Sequence, residues 1–268
     1  MERVKWQNST AVVTGASGGI GAAIARCLTS QGISVVAVSR RAERLKALAE
    51  EDHPGGGRII PFPLDLNDPG SAEYLHEEVN RRFDPVSVLV NNAGVGWYGY
   101  FSEMSWETAR EIIQVNTTTV VRLTSLFLPG MKARHFGRII NIGSVAGSIP
   151  SQGIVMYAAT KAFMDAFTTA LHRELVGTGV QASVVRPGPV RTEFGGNAAA
   201  RANGQRLPTE QMGVPAERVA RAVCKLLHQP RRVVYVPAVL SITPWVESCF
   251  GWLMDRLGPL LLKRRESL

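Results

Sequence analysis

Cysteine is scarce in this sequence: Cys27, Cys224 and Cys249 are the only three among 268 residues. Odd in number, far apart and without a Cys-x-x-Cys pair, they argue against a disulfide framework and suit a reducing compartment. The five histidines lack the paired spacing that metal ligands keep, so no metal site is expected. Acidic residues are outnumbered, 22 against 30 Lys and Arg, which leaves a net charge of +8. That balance favours anionic company such as nucleotide phosphates or acidic lipid. The basic residues fall in scattered pairs such as Arg40-Arg41, Arg81-Arg82 and Arg231-Arg232, which argues against a nucleic-acid partner. An apolar leader is missing as well. Residues 1–8 mix charges with single apolar residues, whereas a secretory signal needs a core of about 7–15 apolar residues. A cytoplasmic location is the expectation. No Pro/Gly/Ser-rich linker, tandem repeat or low-complexity tract divides the chain. The expectation is therefore one domain over residues 1–268, with a core at 7–236 and an apolar extension at 237–268.

What is present is a regular alternation. Short runs rich in Val and Ile stand at Ser9–Thr14, Ile33–Ser39, Arg58–Phe62, Val86–Val90, Gly137–Ile142, Val180–Val185 and Val233–Val236. Longer helical patterns separate them, including Ile20–Gln31, Arg41–Glu50, Ser71–Phe83, Trp106–Arg134 and Ala216–Gln229. Runs that are apolar at nearly every position suit strands covered on both faces, hence a parallel sheet under helices. Strand–helix alternation of this length predicts a doubly wound α/β fold.

Three segments carry candidate chemistry. The first run ends in Thr14-Gly15-Ala16-Ser17-Gly18-Gly19-Ile20-Gly21, just before a helical pattern. Glycines there let the backbone turn sharply and approach a pyrophosphate seated on the helix N-terminus. The second run ends Val38-Ser39-Arg40-Arg41. An NAD site would place a carboxylate there for the ribose 2′-hydroxyl; a serine and two guanidinium forks suit a 2′-phosphate instead. Gly18 offers no basic side chain, so the expected preference for NADP(H) over NAD(H) rests on Arg40 and Arg41. Further on, Tyr157 and Lys161 are one helical turn apart. An ammonium beside a phenol is expected to lower a tyrosine pKa that starts near about 10 and to ready it for proton transfer.

These segments combine with Asn91-Asn92-Ala93-Gly94, Leu64-Asp65-Leu66, Val115-Asn116-Thr117, Ser144 and Pro187-Gly188-Pro189-Val190-Arg191-Thr192. In order and spacing the set resembles the short-chain dehydrogenase/reductase family over residues 9–236, in its branch with T-G-x-x-x-G-x-G, N-N-A-G and Y-x-x-x-K. The resemblance implies a Rossmann-type fold with a seven-stranded parallel sheet and helices on both faces. It implies hydride transfer between a nicotinamide and a carbonyl or secondary alcohol. Tyr157 would be the general acid or base, Lys161 would hold the nicotinamide ribose, and Ser144 would hydrogen-bond the substrate oxygen. Asn116 would hold a water relaying protons toward Lys161. Cofactor contacts would come from Gly15, Ser17, Gly19, Ile20, Gly21, Ser39, Arg40, Arg41, Asp65, Leu66, Asn92, Ala93, Gly94, Tyr157, Lys161, Pro187, Gly188, Val190 and Thr192. A homodimer or homotetramer is implied too. The alternative is a nucleotide-sensing or scaffold protein on the same fold, against which the intact Asn116, Ser144, Tyr157 and Lys161 argue.

Substrate choice would be set by residues 95–101, 145–152 and 193–212. Trp97, Tyr98, Tyr100 and Phe101 suggest an apolar pocket for a lipid-like, steroid-like or aromatic carbonyl, or else packing and interface contacts. In the extension, Val233–Val246 carries no charge over fourteen residues but holds two prolines; a spanning helix needs ~20 apolar residues. Aromatic residues and Lys263-Arg264-Arg265 follow. Packing on the protein, as a lid or subunit contact, is the first expectation, and peripheral membrane contact is the alternative.

Overall fold

A computed structural model describes residues 6–205 and 213–257. Seven strands, β1 (Thr10–Thr14), β2 (Ser34–Ser39), β3 (Ile59–Pro63), β4 (Val86–Asn91), β5 (Gly137–Ile142), β6 (Val180–Pro187) and β7 (Val233–Val236), form a parallel sheet in the order β3-β2-β1-β4-β5-β6-β7. Every residue of β1, β4 and β5 is buried, as the apolar runs predict. The order reverses at the β1/β4 junction, where an open α/β sheet leaves a crevice beyond its strand ends.

Strand side chains alternate between two cores. Ala11, Val13, Val35 and Ala37 meet helices α1 (Gly19–Thr29), α2 (Ala42–Ala49) and α8 (Ala216–His228) through Ile24, Leu28, Leu45, Val219 and Val223. Val12, Val36, Val38 and Leu89 meet α3 (Ser71–Arg82), α5 (Thr119–Ala133) and α6 (Val155–Glu174) through Leu75, Leu123, Phe127 and Leu171. Both faces of the sheet are covered, which is the expected Rossmann-type, doubly wound fold.

Two expectations are corrected here. Cys27 of α1 and Cys224 of α8 form a disulfide, with Cα atoms 6.5 Å apart and 197 residues between them. Side-by-side packing of α1 and α8 on one sheet face brings together two thiols that look unrelated along the chain. The Trp106–Arg134 pattern is also not one helix. It divides into α4 (Trp106–Ile113), a π-helical turn at Gln114–Thr118, and α5. The wide turn falls at Asn116, and such turns gather at functional sites.

The segment after β6 holds a short helix, α7 (Phe194–Ala199), that no apolar periodicity announced. The extension begins as a 3-10 turn at Ala238–Ile242 and continues as α9 (Thr243–Leu257). It packs on the protein at its start, where Leu240 fills the space above Gly188 and Thr243 Oγ1 lies 3.1 Å from Ser148 Oγ. Beyond that anchor Trp245, Phe250 and Trp252 are exposed. Among the described residues no helix is long and apolar enough to cross a membrane. Lys263-Arg264-Arg265, and residues 206–212 of the segment expected to shape the substrate pocket, lie outside the described residues.

Candidate active site

The crevice at the β1/β4 junction is built by two turns that lock together. Asn92 and Ala93 donate their backbone N–H groups to Thr14 Oγ1 at 3.0 and 2.9 Å, and Asn92 Nδ2 donates to the Thr14 carbonyl at 2.8 Å. Gly15 sits at φ +67°, and a Cβ built on it would come within 2.9 Å of Ala93 Cα. A Cβ on Gly21 would meet the Gly15 carbonyl oxygen at 2.2 Å. Only glycine fits either place. The first N–H groups of α1 are left facing an open cradle, the arrangement that accepts a pyrophosphate.

At one end of the crevice polar groups converge. Ser17 Oγ and Ser39 Oγ are 2.6 Å apart, and Arg41 Nε donates to Ser17 Oγ at 2.9 Å. Arg41 Nη1 and Arg44 Nη1 both donate to Glu193 Oε2, at 2.9 and 2.5 Å. Hydrogen bonds from Arg44, then Arg41, hold the Glu193 carboxyl down at about 2. Above Gly18, whose missing side chain looked like a gap, a Cβ would meet Arg41 Nη2 at 3.3 Å and Arg44 Nη1 at 3.8 Å. The two guanidinium groups fill that space. The expected Arg40–Arg41 pair is divided: Arg40 turns toward Asp65, 3.5 Å from its Oδ2, and its place beside Arg41 is taken by Arg44. Spacing alone could have found Arg44, since positions three apart share a helix face.

At the other end, α6 presents Tyr157 and Lys161 below Ser144, which follows β5. The Ser144 hydroxyl hydrogen-bonds the Tyr157 phenol. Its oxygen also accepts from Ala146 N at 3.1 Å, which fixes its direction. Lys161 is buried; its Nζ donates to the Ile142 carbonyl at 2.8 Å and lies 5.6 Å from the Tyr157 ring centroid. The expected lowering of the tyrosine pKa is corrected. Burial pushes the Tyr157 phenol up, opposed by the Ser144 hydrogen bond, while the ammonium is directed at a carbonyl. Burial also draws Lys161 down to about 8, opposed by the charge of Asp165.

Asn116 lies behind the crevice wall, fully buried. Its Nδ2 donates to the Val95 carbonyl, its Oδ1 accepts from Val95 N, both at 2.9 Å, and Nδ2 also donates to Thr160 Oγ1 at 3.1 Å. The side chain clamps the segment after β4 to α6. One turn beyond Lys161, Asp165 Oδ1 accepts from Arg186 Nε at 2.8 Å, and Arg186 Nη1 donates to the Tyr235 hydroxyl. This buried run from α6 across β6 to β7 went unread in the sequence.

The crevice holds about 800 Å³. All the residues expected to touch cofactor, and Ser144, lie in its wall. The aromatic expectation is narrowed. Trp97 lines the crevice and donates Nε1 to the Ala202 carbonyl at 3.0 Å, but Tyr98 is buried outside the wall and Phe101 is exposed. Phe194, unnoticed in the sequence, joins the wall with its ring centroid 5.5 Å from that of Tyr157.

Because Lys161 exchanges its proton near 8, the ammonium is present below that pH and lost above it. A proton donor that depends on this charge should weaken as pH rises. The expected pH profile of kcat/KM for a reaction that takes its proton from Tyr157 is level at neutrality and falls through an apparent pKa near 8. A profile level to pH 10 or so would remove Lys161 from the proton-transfer machinery.

The family model for short chain dehydrogenases matches residues 9–203. A short chain dehydrogenase of Pseudocercospora fijiensis is 36% identical over 191 residues, 70% of this chain and 62% of the relative. The chain thus spans less than two thirds of that protein. Nodulation protein G of a Rhizobium species is 40% identical over 223 residues, covering 81% of this chain and 88% of the relative. Among solved structures, a short-chain dehydrogenase from Sphingobium yanoikuyae in complex with NADPH superposes with a TM-score of 0.79 at 28% identity, covering 97% of this chain and 98% of that one.

Proposed function

Since the chain belongs to the short chain dehydrogenase family, we propose that it is an NADP(H)-dependent oxidoreductase acting on a carbonyl or secondary alcohol. The observation that carries this reading is the wall shared by the glycine cradle and the Ser144, Tyr157, Lys161 group. The nicotinamide supplies or accepts the hydride when bound; this chain supplies position and protons. Ser144 donates a hydrogen bond to the substrate oxygen and steadies the charge that grows there. Tyr157, kept protonated by burial, passes its proton to that oxygen in reduction and takes it back in oxidation. Lys161 steadies the phenolate that results and would hold the nicotinamide ribose. Asn116 acts by positioning, through its clamp on Val95 and Thr160.

Preference for NADP(H) follows from Arg41, Arg44, Ser17 and Ser39, which together offer charge-assisted donors to a 2′-phosphate. The substrate end, with Val95, Trp97, Val145, Ile154 and Phe194 in its wall, supports a bulky apolar carbonyl. The same reading takes the enzyme as one domain that works as a homodimer or homotetramer. The exposed Trp245 and Trp252, two turns apart on α9, support peripheral membrane contact.

Fluorescence titration tests the cofactor assignment. Arg41→Ala is expected to weaken NADPH binding by about tenfold to a hundredfold and to leave NADH within about twofold. NADPH consumption against bulky ketones and aldehydes then tests the pocket. Equal affinity for both coenzymes in wild type and variant would overturn the NADP(H) assignment.

A further inference from the structure

Three consecutive residues after β6 reach three different parts of the site. The Thr192 methyl lies over Gly19, where a Cβ would meet it at 2.9 Å. Glu193 crosses the crevice and accepts from Arg41 and Arg44. Phe194 packs on Tyr157 and fills the space above Gly96, where a Cβ would come within 2.7 Å of its Cζ. The Glu193 carboxylate is thus an anion already seated on the guanidinium groups best placed for a 2′-phosphate. It is half exposed and hangs from a turn, so it can leave without disturbing a core.

Resting on the NADP(H) reading, we propose that Glu193 is a specificity-determining residue: it stands in for the 2′-phosphate on Arg41 and Arg44 and must be exchanged for it when NADP(H) binds. The exchange keeps the charge around the arginines nearly balanced, since one anion leaves as another arrives. The phosphate prevails because it brings more acceptor oxygens and a greater negative charge, and because the Ser17 and Ser39 hydroxyls stand beside the arginines. NAD(H) has no group to make the exchange, so it binds with the Glu193 contacts in place. Glu193 therefore sets how strongly the crevice separates the two coenzymes. The exchange also releases the residue next to Phe194, so cofactor choice reaches the wall beside Tyr157.

Glu193→Gln in the full chain tests this, with NADPH, NADH and 2′,5′-ADP titrated by intrinsic fluorescence. The neutral amide competes poorly, so NADPH and 2′,5′-ADP are expected to bind about three- to tenfold more tightly, with NADH unchanged. The gain should shrink as salt is raised, because the competing contacts are exposed. Unchanged or weaker NADPH and 2′,5′-ADP binding would overturn the proposal, as would equal tightening of NADH. Arg41→Ala separates the two failures. If it abolishes a coenzyme preference that Glu193→Gln leaves untouched, the stand-in role falls and the NADP(H) reading holds. If wild type shows no preference and Arg41→Ala creates no difference, the NADP(H) reading itself falls.

Discussion

Tyr157→Phe is expected to lower kcat by about a thousandfold while leaving the NADPH Kd within about twofold. A positioned general acid contributes about 10²–10⁴-fold, and the phenol oxygen is the only atom this substitution removes. The ring stays, and with it the packing against Phe194 and the approach of Lys161. Ser144 loses its hydrogen-bond partner but keeps its orientation, because its oxygen still accepts from Ala146 N. Steady-state kinetics and a fluorescence titration on the same preparation give both numbers. Retained turnover would take the acid role away from Tyr157. Collapse of NADPH binding would show that the residue serves the cofactor more than the proton.

The second large effect concerns stability. Asp165→Ala is expected to cost about 3–5 kcal/mol, because it leaves the Arg186 guanidinium buried without its carboxylate. The side chains of Asp165 and Arg186 are only 9% and 14% exposed, so water cannot replace the lost partner. Asp165→Asn keeps an acceptor for Arg186 Nε and should cost less. Burial, opposed by Arg186, raises the Asp165 carboxyl to about 6. The folded state therefore holds this proton more tightly than the unfolded chain does. The resulting stabilisation is present at acid pH and lost as pH rises through about 6. Asp165→Asn should remove that component. Urea unfolding of wild type and both variants between pH 4 and 8 or so checks this. A loss under about 1 kcal/mol for Asp165→Ala would mean that Arg186 finds another partner.

What the sequence disclosed, and what it withheld, divides along distance. Strands were legible because a central parallel strand shows its burial as a continuous Val/Ile run, with no reference to its neighbours. The glycine turn and the Tyr157–Lys161 spacing were legible for the same reason: each is a local geometry. Glu193 lies 152 residues from Arg41 and 149 from Arg44, and nothing local to any of them announces the contact. Cys27 and Cys224 met only because α1 and α8 share a sheet face. The π-helical turn escaped because its core residue, Asn116, bonds the Val95 backbone rather than anything in its own helix. Composition marked the C-terminal extension as apolar and aromatic, but where it packs depends on the contacts of Leu240 with Gly188 and of Thr243 with Ser148.

Sheet order also governs how the molecule assembles. β2 and β3 join the sheet beside β1 through short crossovers, whereas the central β1–β4 pair closes a span of 76 residues between Thr14 and Val90. Distant pairings close late, since their chain entropy must be lost before their contacts repay it. The bonds that build the cofactor cradle, Thr14 to Asn92 and Ala93, lie on that seam. A chain with β1 to β3 paired but that seam open would hold three of the seven described strands and no complete cradle for a dinucleotide. Binding there would recognise only the closed seam and, by mass action, stabilise it. A coenzyme held on that seam would thus stabilise the folded chain before it took part in any reaction.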